Sequence, residues 1–140
     1  MIRMEKLLVS SDRFCAVTTV ITPEAVHDLR HVLVEALQSW GMGAAADTAA
    51  LLASETLANS VEHARPGTGP AEPCIELAAQ LLGTGLRITV TDCDPAPPQA
   101  RHATPGDEDG RGLLLLQVLA DAWGTETHDH GKTVWFVLGV

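Results

Sequence analysis

A two-layer α/β sandwich on a mixed or antiparallel sheet is the fold class this sequence predicts. Three observations point to it. Segments with helical apolar spacing are interspersed with short β-rich segments, and short glycine turns join strand to strand where hairpins are expected. At 140 residues the chain suits one domain, residues 1–140, with a substantial core.

The first strand is expected at "FCAVTTV", Phe14 to Val20, a run rich in β-branched residues. "ITPEAVHDLRHVLVEALQSWG" follows as an amphipathic helix. Thr22 suits the cap, Pro23 the first helical position and Gly41 the stop. Val26, Leu29, Leu33, Leu37 and Trp40 recur at helical spacing and form one buried stripe. A second helix is expected from about Asp47 to Ala64, ended by the breaker-rich "RPGTGPAEP".

"CIELAAQLL" and "LRITVTD" read as strands of a hairpin turning at Gly83-Thr84-Gly85. In the first, Ile75, Leu77, Ala79 and Leu81 share a face opposite Glu76 and Gln80. In the second, Leu86, Ile88 and Val90 share a face whose next position is Asp92. Two outcomes stand open there. If the strand runs on, Asp92 ends an apolar face, is partly desolvated and needs a hydrogen-bond donor. If it stops at Thr91, Asp92 is a turn residue.

"CDPAPPQARHATPGDEDGRG" has no apolar periodicity and carries Pro95, Pro97, Pro98 and Pro105, the composition of a long loop or lid. "GLLLLQVLADAWG" reads as a third helix with Gly110 and Gly112 at its mouth. The chain closes with a hairpin of "GTETH" and "TVWFVL" around "DHGK".

The charge balance is strongly acidic, with 9 Lys+Arg against 18 Asp+Glu and a net charge of −9. Such a field disfavours nucleic acid and anionic membranes as partners. The apolar N-terminal run stops after Val9, too short for a signal segment, and no run approaches the roughly 18 apolar residues of a membrane span. Cys15, Cys74 and Cys93 lack Cys-x-x-Cys spacing, so a disulfide framework or zinc knuckle is not expected and a reducing cytoplasm fits best.

Two constellations carry possible chemistry. Glu55, Asn59 and His63 recur four apart, a shallow polar spiral along the second helix, with Ala50, Ala53, Leu57 and Ala64 opposite. A solvated face would explain it. So would a ligand site, since Asn is a poor helix-interior residue and a hard cation such as Mg²⁺ takes carboxylate and amide oxygens. The second is Gly110-Arg111-Gly112, where glycines at a helix start let an anion approach backbone N–H groups. It is neither a Walker loop nor a complete Gly-x-Gly-x-x-Gly. His128 and His130 beside a turn, Ser54, Ser60 and Cys93 receive no role.

In order along the chain, these pieces resemble the GHKL ATPase superfamily with its Bergerat fold, and most of all its single-domain bacterial anti-sigma-factor serine kinases. "SETLANSVEH" is similar to the N-box, "VTDCDPAPP" to the adenine-binding box, "GRGLLLLQVLADAWG" to the glycine box with its helix, and "GKTVWFVL" to the closing strand. The likeness runs from about Phe14 to Leu138.

The resemblance implies a mostly antiparallel mixed sheet with helices on one face, and an ATP lid over residues 93–109. It implies that Asn59 binds Mg²⁺ bridging the ATP phosphates and that Glu55 acts as general base or orients the nucleophile. Asp92, with Asp94 beside it, would take the adenine; Gly110, Arg111, Gly112 and Leu113 would hold the phosphates; and His63 would line the pocket. The family's adenine box often reads Asp-x-Gly-x-Gly, whereas Cys93, Asp94 and Pro95 follow Asp92 here, a departure that bears on lid movement and kinase activity.

The function so implied is a cytoplasmic, transcription-regulating anti-sigma factor. It would bind a sigma factor and use Mg·ATP as a serine/threonine kinase on an antagonist protein. A homodimer is compatible with it. The alternative is a non-catalytic partner-binding module that uses nucleotide only as a switch, or not at all.

Overall fold

The computed structural model describes residues 6–11, 13–63, 74–83, 85–93, 109–128 and 131–139. The strands are β1 (Lys6–Ser10), β2 (Phe14–Val20), β3 (Cys74–Leu82), β4 (Gly85–Cys93), β5 (Ala122–His128) and β6 (Gly131–Leu138). The helices are α1 (Ala25–Ser39) and α2 (Gly43–His63), between β2 and β3, and α3 (Asp109–Leu119), between β4 and β5. The strands form one six-stranded sheet in the order β1-β2-β3-β4-β6-β5, and every neighbouring pair is antiparallel. The sheet is therefore antiparallel rather than mixed.

Alternation places the core on one face. Val17, Ile75, Leu77, Ala79, Leu86, Ile88, Val90, Val134, Phe136 and Leu138 are buried there. Leu29, Leu33 and Leu37 of α1, with Ala49, Leu52, Ala53 and Leu57 of α2, complete the same cluster. Each fully buried Leu contributes about 1.5–3 kcal/mol, so the helical stripe read from the sequence is the chief bond between the layers. Leu116 of α3 is buried as well. The helices thus cover one face, as a two-layer sandwich requires.

The opposite face carries a polar row. Thr18 Oγ1 donates to Glu76 Oε2 at 3.2 Å, and Thr91 and Thr133 share a hydroxyl contact at 3.1 Å. His128 Nε2 lies 2.8 Å from Thr133 Oγ1. On the same face the Arg87 guanidinium sits 4.8 Å over the Trp135 ring, a cation–π contact.

Several boundaries differ from the expectations above. β1 was not anticipated: the apolar run Leu7–Val9 becomes an edge strand paired with β2, leaving Leu8 and Val9 exposed. Helix α1 begins at Ala25, and Thr22 contributes its carbonyl, which accepts the Ala25 N–H at 3.1 Å, while no side-chain cap bond forms. Its end is as expected. Gly41 has φ +76°, its N–H donates to Gln38 O, and Met42 N–H donates to Leu37 O, a Schellman closure. Helix α2 starts a turn before Asp47 because Ala44, Ala45 and Ala46 are strong helix formers.

Helix α3 stops at Leu119, short of "ADAWG". Asp121 N–H turns to the Val137 carbonyl at 2.9 Å, and Trp123 pairs with Phe136 in β5. The glycines Gly110 and Gly112 lie within the first turn of α3 instead of ahead of it. Of the expected lid, Cys93 ends β4 and Asp109 begins α3; its remaining residues, Asp94 among them, and the loop after α2 with Ala64 lie outside the described residues. Among the described residues no helix is long and apolar enough to cross a membrane.

Candidate functional site

The strand bearing Asp92 runs on to Cys93, and this resolves the two outcomes the sequence left open. Asp92 stands opposite Ile75 in β3 and Lys132 in β6, continuing the face of Leu86, Ile88 and Val90. Those three are fully buried and Asp92 is half-buried. A carboxylate at the end of an apolar face needs a donor, and the Lys132 N–H supplies one to Oδ1 at 3.2 Å. Gly131 makes this closure fit: a Cβ there would collide with the Asp92 carbonyl oxygen and lie 2.7 Å from Oδ1.

Helix α2 presents its polar residues in an unusual way. Leu51 is 43% exposed, and Ala44, Asp47 and Ala58 are also exposed, yet Glu55 and Asn59 are half-buried. A helix whose polar spiral served only to face solvent would show the reverse. Glu55 and Asn59 are therefore not on the most exposed side of α2. Leu57, Ala53 and Ala50 lie on the core side, as their spacing requires. His63 is the last residue of α2.

The topology fixes which end of the sheet α2 reaches. A cavity of about 450 Å³ is bounded by Ala44, Ala45 and Thr48 of α2, Leu119 of α3, Leu138 at the end of β6 and Gly139 after it. Leu138 pairs with Leu86, whereas Lys132 pairs with Asp92 six residues away, roughly 20 Å along the strand. From Thr48 to Asn59 the helix rises about 16 Å. The N-terminal turns of α2 thus mark the Leu138 end, and Asn59 is carried toward the Asp92 end. Helix α3 packs on α2 with Leu119 at the Leu138 end, so its first turn, from Asp109 through Gly110, Arg111, Gly112 and Leu113, is carried away from there.

Asn59 and Asp92 thus lie toward the sheet end away from this cavity, which neither of them lines. Arranged this way, an amide and a carboxylate on a helix suit a hard cation, and a half-buried strand-end carboxylate suits an N–H donor.

Ser54, one residue before Glu55, has a buried Oγ with no hydrogen-bond partner. Cys15 is buried on the core face, where desolvation raises its thiol pKa. Among the described residues no group of three or more His, Cys, Asp or Glu is assembled for a metal, and His128 is occupied with Thr133.

The family model described as a histidine kinase-like ATPase domain matches residues 19–138. A protein of Streptomyces coelicolor described as uncharacterized is 34% identical over 83 residues, 58% of this chain and 75% of that protein. Among solved structures, the histidine kinase domain of the blue-light activated histidine kinase from Erythrobacter litoralis EL346 superposes with a TM-score of 0.51 at 25% identity. That match covers 66% of this chain and 46% of the other, so the chain spans under half the length of that structure.

Proposed function

From the premise that this chain belongs to the histidine kinase-like ATPase domain family, we propose that it is a regulatory ATP-binding protein of the anti-sigma-factor type. It binds Mg·ATP, holds a sigma factor, and transfers phosphate to a serine or threonine of an antagonist protein. The observation carrying this reading is Asp92. It is half-buried at the end of an apolar strand face, at the sheet end toward which Asn59 is carried.

In this reading Asp92 accepts the adenine amino group, with Asp94 beside it. Asn59 offers its amide oxygen to Mg²⁺, which would supply charge neutralisation at the phosphates. Gly110, Arg111, Gly112 and Leu113 offer backbone N–H groups and one guanidinium to the phosphate oxygens. Glu55 takes the proton of the acceptor hydroxyl or orients that nucleophile. Phosphoryl transfer rests on positioning and charge stabilisation, so a carboxylate base, a cation ligand and an N-terminal helix turn are sufficient parts.

The test pairs calorimetry with phosphotransfer. The purified protein should bind ATP in a Mg²⁺-dependent way, and labelled ATP should mark a candidate antagonist. Turnover untouched by both Glu55→Ala and Asn59→Ala would sink the catalytic assignment.

A second reading is favoured by Cys93-Asp94-Pro95 where the family often has glycines after the adenine carboxylate. There the protein is a partner-binding module and nucleotide is at most a switch. ATP binding that Asp92→Ala abolishes, without phosphotransfer, supports that reading; no ATP binding at all reduces the protein to the module alone.

A further inference from the structure

Two histidines that the nucleotide reading leaves unused share one side of α1. His27 and His31 are four residues apart, and each is two residues from the fully buried Leu29. A step of two residues turns about 200° around a helix. Both imidazoles therefore stand on the side away from the core, and both residues are exposed. Their ring centres are 4.6 Å apart, with the ring planes at 77°. That spacing suits two ligands of one metal ion. An ion bonded to a nitrogen of each ring at about 2.0–2.1 Å, with the two bonds at a right angle, sets the ring centres roughly 4.5 Å apart. Right angles belong to the tetragonal coordination of Cu²⁺ and Ni²⁺, for which imidazole is a suitable ligand. The outer imidazole torsion is broad, so each exposed ring can turn a nitrogen to a common point without backbone movement.

We propose that His27 and His31 chelate a divalent transition-metal ion of the Ni²⁺ or Cu²⁺ kind, which clips together the first two turns of α1. The site is a two-residue one. Among the described residues no third His, Cys, Asp or Glu joins it, and water completes the coordination. The clip acts on the helix whose Leu29, Leu33 and Leu37 join the two layers, so an ion held this way by the folded chain stabilises the fold. No residue of the nucleotide reading takes part.

The local field permits a cation there. The N-terminal dipole of α1 opposes one, but Glu24 at the cap and Asp28 in the first turn offset it. The net charge of −9 also draws cations to the surface. Two imidazoles can meet edge to face with no metal between them, and the experiment separates that case from a chelate.

The experiment uses the reduced full chain without nucleotide, and Ni²⁺ as the probe. Substoichiometric Ni²⁺, which is paramagnetic with water completing its shell, should broaden the ring resonances of His27 and His31 before that of His128. Calorimetry should find one Ni²⁺ per chain bound most tightly. His27→Ala or His31→Ala should weaken that site at least about tenfold, because each removes the chelate and leaves a single ligand. His128→Ala should leave it within about twofold. Alanine suits an exposed helical position, so both α1 variants should fold, as circular dichroism checks. At a hundredfold excess of Ni²⁺ over Kd the melting temperature of the parent should rise by about 3 °C or more. Neither α1 variant should show that rise, and Mg²⁺, which prefers oxygen ligands, should not produce it. Equal broadening at His128, or a Ni²⁺ affinity that neither α1 substitution changes, would overturn the proposal. A chelate that forms without raising the melting temperature would overturn the clip.

Discussion

Asp92 and Lys132 face each other across the last pairs of β4 and β6, and the Lys132 N–H donates to Asp92 Oδ1 at 3.2 Å. The backbone thus orients the carboxylate. On the nucleotide reading, the adenine amino group donates to it. A hydrogen bond to a charged group is worth about 1.5–3 kcal/mol, so Asp92→Ala should weaken ATP binding roughly 10- to 100-fold. Asp92→Asn tests the direction of the bond. Its carbonyl oxygen can keep the Lys132 N–H, and its amide then offers a donor where an acceptor stood. Affinity for ATP should fall relative to ITP, whose 6-oxo group accepts, by about tenfold or more. An unchanged ratio would remove Asp92 from base recognition.

Gly131 should be the least replaceable glycine of the site. It has φ +153°, and a Cβ there would overlap the Asp92 carbonyl oxygen, which is backbone and cannot step aside. Gly131→Ala should cost about 2 kcal/mol or more in chemical denaturation and also disturb ligand binding at Asp92. Gly83 is the matched control, since nothing lies within 4 Å of its added Cβ. Gly83→Ala should change stability by less than about 1 kcal/mol. Equal effects of the two substitutions would contradict the Gly131–Asp92 packing.

The face away from the helices has its own constraint. Gly124 pairs with Trp135, and an added Cβ would lie 2.7 Å from the indole ring. Gly124→Ala must push Trp135 away and disturb the Arg87 stacking above it. The expected cost is about 1–3 kcal/mol, with a change in tryptophan emission on the native baseline. Arg87→Ala should alter the same emission at about 0.5–1 kcal/mol.

The parts of the fold that were legible in the sequence are those fixed by local periodicity. Leu29, Leu33 and Leu37 announce α1, and Ile75, Leu77 and Ala79 announce β3, because burial follows the helical or strand repeat directly. Strand β1 escapes the sequence reading because its signal is short and Leu8 and Val9 are exposed at a sheet edge. The overrun of α3 into "ADAWG" has a similar cause. Alanine and tryptophan suit a helix locally, and only the distant Val137 carbonyl and Phe136 pairing draw these residues into β5. In the site, Asp92 was half-legible: parity put it on the apolar face, but only β6 shows that the strand continues.

Ser54 offers a test of how far the site's surroundings are optimised for stability. Its Oγ is buried without a partner, and a hydroxyl removed from water without compensation costs about 1–3 kcal/mol. Alanine removes the hydroxyl, leaves no large void and has better helix propensity by about 0.5 kcal/mol. Ser54→Ala should therefore stabilise the protein by about 0.5–2 kcal/mol in urea or guanidinium titrations. Glu55 is on a different side of α2, since adjacent residues are about 100° apart, so the variant should keep any ATP binding and turnover within about twofold of the parent. A destabilised Ser54→Ala would mean that the hydroxyl has a native partner. A stabilised but inactive variant would mean that this unpaired hydroxyl serves the reaction beside Glu55.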